Sequence, residues 1–201
     1  MNTEYHFVTR WRVAATCGEV ADILGDPLML PRWWPSVYLA VTELRPGGAG
    51  GVGRRARLHT KGWLPYTLTW DLEVVNSRYP HGFEIVAGGD FEGRGIWTFE
   101  PDGDFVDVTY DWRLRAEKPL LRNLTFLFRP LFEANHRWAM RQGEISLRLE
   151  LERRRASSED AFNRIPPPPG PVTYAGVALL AGAVAIGGTL GYLMFRNRRR
   201  F

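Results

Sequence analysis

Two stretches of this 201-residue chain alternate apolar and polar side chains so regularly that they admit only one backbone state. Tyr66, Leu68, Trp70, Leu72 and Val74 are interleaved with Thr67, Thr69, Asp71 and Glu73. Val106, Val108, Tyr110, Trp112 and Leu114 are interleaved with Asp107, Thr109, Asp111, Arg113 and Arg115. A period of two sends each set to its own face of a strand, so both belong to an antiparallel sheet with one buried and one wet face. Tyr5, Phe7, Thr9, Trp11 and Val13 repeat the pattern near the start of the chain. Further strand-like segments lie at 37–45, 53–61, 82–87 and 91–100, and Pro101-Asp102-Gly103-Asp104 reads as a hairpin turn.

Helical signals frame these strands. Thr16-Cys17-Gly18-Glu19 matches a capping box ahead of the short apolar run Val20–Leu24. Asp26-Pro27 suits the start of a second short helix ending before Pro31. From Pro130 to about Arg154 the chain reads as one long helix, with Leu131, Trp138, Ile145 and Leu149 near helical spacing. The expected order is strand, two short helices, six strands, long helix. This is an α+β arrangement in which a seven-stranded antiparallel sheet wraps the long C-terminal helix.

The C-terminus is of another kind. Val172 to Phe195 is 24 residues without a charge. As a helix it would reach roughly 36 Å, enough to cross a bilayer with some tilt. The sequence therefore divides into a domain at 1–155, a proline-rich linker at 156–171, a single-pass transmembrane helix at 172–195 and a basic tail at 196–201. Pro166 to Pro169 suit a stiff spacer. The first residues carry charges and no apolar run of signal-peptide length, which favours a cytoplasmic domain held by a C-terminal membrane anchor. The arginines at 196, 198, 199 and 200 argue the other way, because such a tail prefers the cytoplasmic side. Ala183, Gly187 and Gly191 form a small-residue ridge that would let two spans pack as a homodimer, although glycine-rich spans are common without pairing.

Charge and composition exclude several function classes. The net charge of +4 is supplied by the four tail arginines, so residues 1–195 are neutral and no nucleic-acid partner is expected. One cysteine, Cys17, forbids an intrachain disulfide and a cysteine zinc cluster. His6, His59, His81 and His136 have no metal-like spacing, so no metal is expected. Gly48-Ala49-Gly50-Gly51-Val52-Gly53 fits a dinucleotide fingerprint literally, but Arg54 to Leu58 reads as a strand where that fingerprint needs a helix. No nucleotide or other cofactor is expected. No G-x-S-x-G elbow is present, so covalent hydrolysis is unsupported.

Three segments stand out: Asp26-Pro27 with Pro31-Arg32-Trp33-Trp34-Pro35, Phe91-Glu92-Gly93-Arg94-Gly95-Ile96-Trp97 with Val108-Thr109-Tyr110, and Asn135-His136-Arg137-Trp138-Ala139-Met140-Arg141-Gln142-Gly143-Glu144. Together they resemble the START/Bet v 1-like superfamily, also called SRPBCC, in its polyketide cyclase/dehydrase and lipid-transport branch. The likeness covers about residues 3–153. It implies the helix-grip fold and a tunnel between helix and sheet for a hydrophobic small molecule or lipid. The motifs speak for the fold more than for any activity. The proline linker and the apolar tail depart from the minimal domain of that superfamily.

The expected function is membrane-anchored binding or transfer of such a ligand. The alternative is a cyclase/dehydrase-type enzyme working in the same cavity, with Tyr110 or His136 as the proton-shuttling candidates. Candidate ligand-binding residues are Tyr66, Trp70, Trp97, Tyr110 and Trp112 from the sheet and Asn135, Trp138 and Gln142 from the helix, with Trp33 and Trp34 at the entrance. All eight tryptophans lie within residues 1–155. For any single one of them core filler is the better reading, and a solidly filled core would remove the tunnel altogether.

Overall fold

The computed structural model describes residues 4–116 and 119–174, with side chains outside 116–129. Seven strands form one antiparallel sheet in the order β1-β7-β6-β5-β4-β3-β2. They are β1 Glu4–Val13, β2 Tyr38–Arg45, β3 Arg55–Lys61, β4 Thr67–Ser77, β5 Gly82–Gly89, β6 Phe91–Asp102 and β7 Phe105–Ala116. Successive strands from β2 to β7 pair as neighbours, and β1 closes against β7 with Tyr5 opposite Leu114 and Trp11 opposite Val108. The inward sets are those of the alternation: Trp70, Leu72 and Val74 on β4, and Val106, Val108, Tyr110 and Trp112 on β7, are all buried.

Between β1 and β2 stand α1 (Cys17–Leu24), a single 3-10 turn (Pro27–Met29) and α2 (Leu30–Trp33). The capping box forms in full: Glu19 N donates to Thr16 Oγ1, and Thr16 N donates to Glu19 Oε2. Asp26 caps the 3-10 turn, but the expected stop at Pro31 does not occur. Pro31 lies in the first turn of α2, where a helix makes no use of its missing N–H. The glycine-rich run carries a 3-10 turn at Ala49–Gly51 and leads into β3, as a loop between strands.

The long helix α3 spans Pro119–Arg155, eleven residues longer at its start than expected. Pro119 takes the first position, which suits proline, and the leucine-rich stretch after it is good helix former. Pro130 therefore sits inside the helix. The inward face also differs from the expected one. Ile145 is 41% exposed and Leu149 half-buried, whereas Met140, Gly143, Ser146, Leu147, Glu150 and Leu151 are buried. A hydrophobicity count misses that stripe because it contains a glycine, a serine and a glutamate.

Neighbouring elements explain those three odd residues. The Trp34 indole lies directly on Gly143, where a Cβ would come within 2.2 Å of the ring, so only glycine fits. Glu150 is 1% exposed, and its carboxylate accepts from the guanidinium of Arg32 on α2 and, at 3.0 Å, from Nε of Arg154. A carboxylate so buried persists because cations meet it. The first and last recognised segments thus touch each other: Arg32 and Trp34 grip Gly143 and Glu150.

Within the expected linker 156–171, Ser158 caps a fourth helix, α4 (Glu159–Asn163), and the Arg153 guanidinium donates to the Pro166 carbonyl. No described helix is long and apolar enough to cross a membrane. The stretch 172–195, expected to span a bilayer, falls almost wholly on 175–201, outside the described residues, as do the glycine ridge and the basic tail.

Candidate functional site

Sheet and helix do not close on each other everywhere. Beneath α3, between Phe132 and Met140, they leave a half-open cavity of about 190 Å³. Trp70, Tyr110 and Trp112 of β4 and β7 form its floor, and Asn135, His136 and Ala139 its roof. Trp34 and Tyr38 line it from α2 and β2, and Tyr5 and Phe7 from β1. Tyr66 comes from the turn into β4 and Leu68 from β4 itself. The domain is therefore not the solid block that the tryptophans alone allow.

Aromatic stacking sets the floor. Tyr110 lies against Trp97 at 4.0 Å and 13° and against Trp112 at 5.6 Å and 19°. These rings lie flat because Gly95 is opposite: a Cβ there would fall 2.7 Å from the Tyr110 hydroxyl and 2.8 Å from the Trp112 ring. The Trp70 indole donates to Thr60 Oγ1 at 3.2 Å.

The polar groups of the roof divide by task. Asn135 Oδ1 accepts from the backbone N–H of Trp63 at 2.9 Å and of Leu64 at 3.3 Å, which pins the β3–β4 turn to the helix. His136 stacks on Phe7 at 4.1 Å and 17°. Its Nε2 is buried and has no hydrogen-bond partner among the described residues. Burial, helped by the adjacent Arg137 charge, lowers its pKa to about 4. Burial raises the Tyr110 hydroxyl well above its ordinary value of 10, with Tyr38 adding to the shift, and Tyr38 itself is raised by burial. At neutral pH all three are uncharged. No cluster of three or more metal-ligating side chains occurs among the described residues.

Residues 5–152 match the family described as polyketide cyclase/dehydrase and lipid transport. The chain belongs to that family. The fold agrees with solved structures of low sequence identity. The Zhui aromatase/cyclase from Streptomyces sp. R1128 is 18% identical with a TM-score of 0.63, covering 78% of this chain and 98% of that one. The protein TTHA0849 from Thermus thermophilus is 17% identical with a TM-score of 0.62, covering 76% and 100%. A norcoclaurine synthase from Thalictrum flavum is 16% identical with a TM-score of 0.50, covering 73% and 95%. No curated protein sequence matches the chain.

Within this family fold, Trp34, Tyr66, Trp70, Tyr110, Trp112, Asn135 and His136 come together around the cavity, and the other expected residues do not. Trp33 is fully buried beside Trp34, with ring centroids 5.4 Å apart, and fills core. Trp34 is 2% exposed, so the pair expected at an entrance is interior. Trp97 backs Tyr110 and borders a separate void of about 40 Å³ under α1 and α2. Trp138 and Gln142 lie off the cavity because the helix is rotated relative to the stripe read from Leu131 and Ile145. Tyr5, Phe7, Tyr38, Phe132 and Met140 line the cavity and were not singled out. The signal existed for two of them, since Tyr5 and Phe7 belong to the inward set of β1.

Proposed function

We propose that this domain binds a hydrophobic small molecule or lipid between sheet and helix, held near a bilayer by the apolar stretch 172–195 with the domain on the cytoplasmic side. The observation that carries the reading is the aromatic cavity itself, larger than the void of about 40 Å³ under α1 and α2. Burial in such a space contributes about 25 cal/mol per Å² of apolar surface. An apolar void of about 150 Å³ is known to take up benzene, so about 190 Å³ suits one ring or a short chain segment. The family assignment supports the same reading.

A cyclase/dehydrase-type reaction is the second reading, favoured by the family description and by His136 Nε2 having no hydrogen-bond partner among the described residues. Acid–base catalysis works best with a pKa near the operating pH. His136 is displaced below that range and Tyr110 above it, so the unliganded cavity is built to hold rather than to move protons.

Native mass spectrometry with lipid extraction on the 201-residue chain tests the first reading. A co-purifying apolar molecule lost in Trp70→Ala or Tyr110→Ala is the expected result. An empty protein that also excludes a hydrophobic fluorescent probe would sink it. Flotation of the chain with liposomes, abolished by removal of residues 172–201, is expected of the anchor.

A further inference from the structure

The polar side chains on the cavity wall are not alike. Packing seals His136 Nε2 and Trp34 Nε1 away from the hollow. Asn135 Oδ1 is taken up by the β3–β4 turn, and Thr60 Oγ1 by the Trp70 indole and the Leu68 carbonyl. The hydroxyls of Tyr38 and Tyr110 differ from all of these. Neither is sealed in the packing, and neither has a hydrogen-bond partner among the described residues. Both side chains line the cavity.

Their place in the fold is specific. Tyr38 opens the edge strand β2, and Tyr110 lies on β7 near the other edge of the sheet. The curl of the sheet brings them to one space. Both also border the void of about 40 Å³ under α1 and α2, so they stand at the end of the cavity that abuts it. Each ring is held: Tyr38 meets Trp34 edge-on at 5.1 Å, and Tyr110 stacks on Trp97 and Trp112. Gly95 keeps the Tyr110 hydroxyl uncovered, since a Cβ there would come within 2.7 Å of it.

The chemistry of two open phenols narrows what can meet them. A hydrocarbon would cover both hydroxyls and leave them unpaired, at the full desolvation cost. A carboxylate meets a different obstacle. The burial that raises the pKa of both tyrosines means that negative charge on an oxygen at this spot is disfavoured, whether the oxygen belongs to a tyrosine or to a ligand. Lys61, half-buried at the end of β3, is the cation among the described lining residues, and it is already engaged. An uncharged acceptor oxygen avoids both obstacles, because it takes the phenol protons and brings no charge.

We propose that Tyr38 and Tyr110 are the specificity-determining residues of the cavity, donating to an uncharged acceptor oxygen on the buried end of the ligand and so selecting it over a hydrocarbon or a carboxylate. The inference rests on the binding reading above and narrows it.

Three one-ring probes that share a skeleton and differ in one group test it: acetophenone, isopropenylbenzene and benzoate. They are titrated by calorimetry at pH 7.5 into the 201-residue chain and into the double variant Tyr38→Phe with Tyr110→Phe, which keeps both rings. The double variant is expected to bind acetophenone about tenfold more weakly, the effect of lost hydrogen bonds in a buried site, and isopropenylbenzene no more weakly than before. Benzoate is expected to bind the unaltered protein most weakly of the three. A readout that needs no loss of affinity is the infrared carbonyl stretch of bound acetophenone, which should lie lower in the unaltered protein than in the double variant. Equal acetophenone binding and an equal carbonyl stretch in the two proteins, or tightest binding of benzoate, overturns the assignment while leaving the cavity a binding site. Failure of all three probes to bind the unaltered protein overturns the binding reading itself.

Discussion

The two ends of α3 meet the same sheet in opposite ways. From Gly143 to Leu151 the contact is solid: Trp34 lies on Gly143, Leu147 is fully buried, and Glu150 is sealed by Arg32 and Arg154. From Phe132 to Met140 the helix roofs a hollow of about 190 Å³. Both ends face large aromatic rings, so the difference is not one of hydrophobicity. At the more solid end α1 and α2 pack against both helix and sheet and leave only a void of about 40 Å³ beneath them. At the hollow end the described walls come from the sheet, the β3–β4 turn and Trp34, and the stacked rings of Tyr110 and Trp112 lie flat instead of rising to fill it. The helix is thus packed tightly at one end and stands over a cavity at the other.

Four measurements would sharpen or break this contrast. The largest effect is expected for Leu147→Ala at the solid end, about 3–4 kcal/mol by denaturant unfolding, as for a fully buried leucine in a packed core. A loss under about 1 kcal/mol would show that this end is not packed as described.

Next come two small residues four positions apart. Gly143→Ala is expected to lose about 2–3 kcal/mol, because the added methyl collides with the Trp34 ring. Ala139→Leu adds more volume but enters the hollow. Its stability should stay within about 1 kcal/mol of the parent, while uptake of a hydrophobic probe is abolished. Similar costs at both positions would mean that the two ends are alike.

Third, the two ends should fail in different pH windows. The folded pKa of His136 is about 4, below its usual 6.5, so the unfolded chain binds more protons between these values. Stability at the hollow end is therefore full above about pH 6.5 and declines toward pH 4, by about 3 kcal/mol. His136→Phe should flatten that part of the unfolding profile.

The smallest effect belongs to the ion pair tying the far end of α3 to α1. Arg155 donates to both oxygens of Glu19 at 2.7 and 2.9 Å and, with the Thr16 contacts, lowers the Glu19 pKa from 4.5 to about 2. A depressed carboxylate stabilises the fold above its unfolded pKa and ceases to as the pH falls from 4.5 toward 2. Glu19 is about one-third exposed, so screening reduces the contribution to about 1 kcal/mol. Glu19→Gln should remove this lower step and leave the His136 step intact.

The legibility of the molecule follows from how local each determinant is. Strand faces were readable because a period of two is written residue by residue, and Trp70, Val108, Tyr110 and Trp112 all point as the alternation requires. The capping box at Thr16 and Glu19 was readable for the same reason. The inward face of α3 was not, because it depends on partners far away in the chain. Gly143 is inward because of Trp34, and Glu150 because of Arg32. Choosing Leu131, Ile145 and Leu149 by hydrophobicity rotated the helix and brought Trp138 and Gln142 into the candidate site in place of Phe132 and Met140.

The sequence by itself determined the sheet, the order of elements, the aromatic character of the inward face and the family, since each is carried by local spacing or by short motifs. Only the tertiary structure decided which aromatics are core and which are wall. Rings of the same type fill space or border it according to what stands opposite: Trp33 meets packed core, whereas Trp34 and Trp112 meet the void. It also decided that the His136 ring lines that void with a nitrogen that has no partner among the described residues, because pairing is a property of surroundings that no residue carries alone.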